Sequence, residues 1–117
     1  MTLQELHHTS DVPVVLADHT GCITYVNERF ISVFGWAESD VVSKPLSVLI
    51  PKTMRDAHNL GFSRFLTTGK PTLLNQPLEL NALAKNGQEI ETEVVIVAEQ
   101  KNGHWAFGAI LRPLAHS

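Results

Sequence analysis

Two Asn-Gly corners, Asn86-Gly87 and Asn102-Gly103, bracket a stretch in which Glu89, Glu91 and Glu93 alternate with Ile90, Thr92 and Val94. A period of two sends the carboxylates to one face of a strand and the other side chains to the opposite, drier face. Asn and Gly tolerate the positive φ that tight corners between antiparallel strands require. The pattern predicts a meander of three strands, Leu73 to Leu83, Glu89 to Val97 and Trp105 to Leu114. A sheet with one dry face needs a second layer to cover it.

The first half of the chain supplies candidates for that layer. Val12 to Ala17 and Cys22 to Val26 are apolar or β-branched runs separated by Asp18-His19-Thr20-Gly21, which reads as a hairpin. The period then changes. Asn27 suits an N-cap, Phe30, Ile31 and Phe34 fall at helical spacing, and Gly35 ends the turn. Ser39 and Asp40 start a further short turn through Val42. Pro51 suits a first helical position, and Met54 to Leu66 reads as the longest helix. On a wheel of about 100° per residue, Met54, His58, Gly61, Phe62 and Phe65 share an arc of roughly 100°, the expected buried side. Ahead of all this, Thr2 to His8 is expected to form a short lead-in helix with Leu3 and Leu6 on one side. The order predicts an α+β fold, one antiparallel sheet covered on one face by helices. A lead-in over 1–10 precedes a single domain over 11–115, since 117 residues fall below the ~150 typical of one domain.

Charge and composition narrow the function. A formal charge of −3 supplies no field for phosphate backbones, so nucleic acid is not an expected partner. The single cysteine, Cys22, has no partner for a disulfide within the chain and suits a cytoplasmic setting. No apolar run approaches the roughly 20 residues of a membrane span, so direct membrane insertion is not expected. His7, His8, His19 and His104 lie in turns or at an end and lack the paired spacing of a zinc site, so no metal role is assigned to them. No nucleophile motif or Gly-rich phosphate loop is recognisable.

Asp18-His19-Thr20-Gly21, the strand after it, Asn27, Phe30, and then Phe34-Gly35-Trp36 resemble the front half of a PAS domain. The resemblance covers about residues 10 to 114. It implies a five-stranded antiparallel sheet with helices packed on one face, and a sensory or interaction module of signal transduction without catalysis of its own. An attached output domain, such as a histidine kinase of a two-component system or a diguanylate cyclase, would lie outside these residues. The light-sensing flavin subclass needs a cysteine in an Asn-Cys-Arg-Phe helix motif, whereas Cys22 lies on a strand.

Arg55 to Gly69, followed by Asn86-Gly87, is further similar to the haem-binding PAS domains of the oxygen-sensing FixL kinases. That resemblance implies b-type haem with His58 as the axial iron ligand, and Arg64 and Thr72 near the propionates. Gly61 would let a flat macrocycle approach the helix, beside Phe62 and Phe65. Leu73, Val94 and Ile96 match aliphatic distal positions. Leu78 stands where FixL-type domains carry an oxygen-contacting arginine, leaving Gln76 and the Trp105 indole N–H as candidate donors. Oxygen, carbon monoxide, nitric oxide and redox state are then comparable inputs. A second reading stays open: His58 is an ordinary helix residue, and the domain is a haem-free module that dimerises through its N-terminal helix and outer sheet face or binds another small ligand.

Overall fold

The computed structural model describes residues 2–54 and 78–114. Helix α1 spans Leu3–His7, strands β1 and β2 span Val14–Ala17 and Ile23–Val26, and helices α2 and α3 span Glu28–Phe34 and Glu38–Val41. Two 3-10 turns follow at Leu46–Leu49 and Lys52–Met54, and strands β3, β4 and β5 span Leu78–Leu83, Glu89–Lys101 and His104–Pro113. All five strands form one antiparallel sheet in the order β2-β1-β5-β4-β3. The α+β expectation and the five-stranded antiparallel sheet are thus found.

Local chemistry explains the element ends. Asp18 Oδ1 accepts from the backbone N–H groups of Thr20 and Cys22 at 2.9 and 3.1 Å, closing the β1–β2 turn. Asn27 caps α2 by accepting from Phe30 N at 2.9 Å, and Gly35 ends that helix in the left-handed region at φ 79°. Asn102 and Gly103 both take positive φ, 52° and 80°, in the two-residue corner between β4 and β5.

Several expected boundaries differ. β4 continues four residues past Val97 to Lys101, because Ala98, Glu99 and Gln100 are paired with Phe107, Ala106 and Trp105 even though they are weak strand formers. α3 begins at Glu38, one residue before Ser39, with Asp40 accepting from Ala37 N at 2.9 Å. Met54 closes a 3-10 turn. The rest of the expected helix, 55–66, and the expected strand residues 73–77 lie outside the described residues.

Among the described residues the core has two parts on opposite faces of the sheet. On the inner face Phe30, Phe34, Val41 and Leu49, from α2, α3 and the first 3-10 turn, pack with Val15, Ile23, Val26, Val94 and Leu111. This is the layering the sequence predicts. On the outer face α1 lies across the sheet, with Leu3 and Leu6 buried against Val14, Val97 and Ile110. The apolar side of α1 therefore faces its own sheet.

Candidate functional site

The inner face can be followed row by row from the strand register. Leu78 pairs with Val94 and Val94 with Leu111; Ile96 pairs with Ala109 and Ala109 with Val15; Ala98 pairs with Phe107 and Phe107 with Ala17. Side chains directly opposite one another share a face, so each row is a line of contacts across neighbouring strands. Val94 and Leu111 are each 7% exposed, whereas Ile96 and Ala109 are only half-buried. The small Ala109, between Ile96 and Val15, lowers the wall at its centre. Thr92 is fully buried at this face, and its hydroxyl donates to Ile90 O at 2.8 Å. None of the described residues that β3, β4 and β5 turn to this face carries a titratable side chain. Such a wall offers dispersion contact and water exclusion to an apolar guest, and no acid–base group.

Of the residues singled out from the sequence, Leu78, Val94 and Ile96 are brought together here. Trp105 shares the face but stands six positions from Leu111 along β5, about 20 Å at the strand rise, so it is not gathered with them. His58, Gly61, Phe62, Arg64, Phe65, Thr72, Leu73 and Gln76 lie outside the described residues. Two surface grooves of about 350 and 340 Å³, one beside Gln4 and His7 and one beside Val33 and Lys85, contain none of the predicted site residues.

Three arrangements escaped the sequence reading. Asn27 is 4% exposed and does more than cap α2: its Oδ1 also accepts from Val14 N at 3.0 Å, and its Nδ2 donates to Thr9 O and Val12 O at 3.0 and 2.7 Å. A buried side chain thus ties the segment after α1 to β1 and to α2. Glu99 on β4 accepts from Leu3 N at 2.6 Å, anchoring the start of α1. His19 stacks on His104 with ring centroids 4.5 Å apart. All three join residues far apart in sequence, and no local spacing signals them.

Among the described residues two carboxylates lie below the ordinary range. For Asp18, partial burial works against the charge, but hydrogen bonds from the Thr20 side chain and from the Cys22 and Thr20 N–H groups, with the charge of His19, outweigh it. Asp40 is lowered by the Lys85 ammonium, 2.8 Å away, and by the Ala37 N–H. Asp18 sits in the β1–β2 turn and Asp40 in the short helix α3, and both shape the backbone beside the sheet. Among the described residues no group of three or more His, Cys, Asp or Glu side chains is placed to hold a metal ion, and no helix is long and apolar enough to cross a membrane.

The family model for the PAS fold matches residues 2–113. The chain belongs to the PAS family. A PAS domain of an HTR-like protein from Haloarcula marismortui superposes with a TM-score of 0.73 at 22% identity, covering 96% of this chain and 88% of that one. Among curated proteins, an uncharacterized protein of Azorhizobium caulinodans is 29% identical over 108 residues, which are 92% of this chain and 15% of that protein. The sensor protein FixL of Bradyrhizobium diazoefficiens is 23% identical over 112 residues, 96% of this chain and 22% of its own length. This PAS domain therefore spans about a fifth or less of the curated relatives it matches. It is a PAS sensory domain of the kind carried by sensor proteins such as FixL.

Proposed function

We propose that this PAS domain is the input module of a signal-transduction protein and binds b-type haem against the inner face of its sheet, with His58 as the axial ligand. The observation that carries the reading is the half-buried apolar set Leu78, Ile96 and Ala109 beside the packed Val94 and Leu111, a wall suited to one side of a flat apolar ring. The similarity of the chain to the sensor protein FixL over 112 residues supports the same direction. Bound haem would supply an iron centre that takes up a diatomic gas or changes redox state.

What the chain's own residues contribute follows from their chemistry. Leu78, Val94 and Ile96 exclude water from the guest and give it surface to pack on. Leu78 offers no hydrogen-bond donor, so a polar contact to a bound gas would have to come from another residue, Gln76 being the nearest candidate in sequence. The signal would reach an attached output domain, such as a histidine kinase or a diguanylate cyclase, through a change in the packing of β4 and β5. Protein reconstituted with haemin is expected to show a strong Soret band that His58→Ala abolishes and Trp105→Phe leaves in place. A wild-type protein that takes up no haem refutes this reading.

A further inference from the structure

Because β1 pairs with β5 from Val14–Ile110 to Ala17–Phe107, the β1–β2 turn and the β4–β5 corner leave the sheet at the same end. His19, two residues beyond Ala17, and His104, three before Phe107, both emerge there and are exposed. Their ring planes are inclined by 30° and their centroids lie 4.5 Å apart. Each ring stands on a backbone that is already held. Asp18 O accepts from Gly21 N at 3.0 Å and Asp18 Oδ1 from Thr20 N at 2.9 Å, which closes the turn around His19. His104 pairs with Lys101 across the Asn102-Gly103 corner.

Neutral imidazole nitrogen is a borderline ligand that takes Cu²⁺, Ni²⁺ and Zn²⁺ in preference to Mg²⁺ or Ca²⁺. With metal–nitrogen bonds of 2.0–2.1 Å and a tetrahedral angle, two chelating imidazoles hold their centroids about 5 Å apart. The stacked pair is already close to that spacing. Rotation about the Cβ–Cγ bonds, a broad torsion in histidine, is the movement that would turn the ring edges toward a common ion. We propose that His19 and His104 form a two-imidazole site for a borderline divalent transition metal, with Cu²⁺ held most tightly and water completing the coordination. The ion ties the β1–β2 turn to the β4–β5 corner at the rim of the sheet. The site is independent of the inner wall and of the haem reading.

The test is titration of the ¹⁵N-labelled protein with copper sulfate in a non-chelating buffer, read by paramagnetic broadening of backbone amide signals. At one equivalent the broadening is expected to centre on His19 and His104 and their chain neighbours. His19→Asn and His104→Asn, both at exposed positions, are each expected to weaken the binding by about tenfold or more, which is at least ~1.4 kcal/mol. His7→Asn and His8→Asn are expected to leave it unchanged. Broadening centred on His7 and His8 or on any other part of the chain overturns the proposal, as does unchanged binding in either His19→Asn or His104→Asn.

Discussion

Leu6 of α1 rests on the bare backbone of Gly108 in β5: a Cβ built on that glycine would lie 2.7 Å from Leu6 Cδ1. Leu3 Cδ2 is equally close and Leu16 Cδ2 lies at 2.9 Å, so three methyl groups occupy the space that a side chain would need. Gly108 pairs with Leu16 on one side and Val97 on the other, in the middle of the sheet. A glycine in a strand interior weakens the strand, and here it lets a helix approach closely.

Gly108→Val is accordingly expected to lift α1 off the sheet. Overpacking of this kind costs about 1–3 kcal/mol, and hydrogen exchange at the Leu6 amide, which donates to Thr2 O, should accelerate well before the exchange of the β4 amides. Gly108→Ala should do the same more weakly, because the crowded atoms are the ends of flexible leucines. Urea denaturation and amide exchange measure both. Unchanged exchange at Leu6 in the valine variant would contradict this account of the docking.

Asn27→Ala removes four hydrogen bonds at once. It leaves the N–H groups of Val14 and Phe30 without that acceptor, and a loss of about 2–3 kcal/mol is expected from a lost cap together with buried unsatisfied donors. Asn27→Asp keeps both acceptor contacts but sets a carboxylate against the carbonyls of Thr9 and Val12. It should restore the α2 cap and still free the segment after α1. Equal stability of the aspartate variant and the wild type would show that the donor half of the side chain contributes nothing.

Asp18 links stability to acid pH. Its folded carboxyl titrates below the ordinary value, so the stability it contributes is fully present above the unfolded carboxyl pKa of about 3.9 and is lost as pH falls through the lower folded value. Asp18→Asn should flatten that part of the stability curve. Thermal melts of both proteins from pH 2 upward provide the comparison.

The indole N–H of Trp36 donates to Leu83 O at 2.9 Å, joining the corner after α2 to the end of β3. Trp36→Phe keeps most of the apolar contact and loses this bond, and a drop of about 1 kcal/mol is expected in chemical denaturation. A phenylalanine variant as stable as the wild type would mean that water replaces the bond without loss.

Much of the frame was legible along the chain because turn and cap chemistry is local. Asp18 to Gly21, the Asn27 cap of α2, Gly35 and Asn102-Gly103 each act on neighbours within about four residues, and each stands where the sequence predicts. The alternation from Glu89 to Val94 likewise announced which side of β4 is dry, since side-chain direction in a strand is set by position alone.

Other features wait on pairings between residues far apart in the chain. β1 meets β5 across 96 positions, Val14 opposite Ile110, and that ladder decides that His19 reaches His104 and that α1 crosses Gly108. The neighbouring β4–β5 hairpin, by its own pairing, carries β4 on to Lys101 against its weak propensity. Periodicity states which face of an element seeks burial. Only the assembled sheet states what lies against that face, because contacts of this kind form when hydrophobic burial and ladder pairing are satisfied together over the whole molecule.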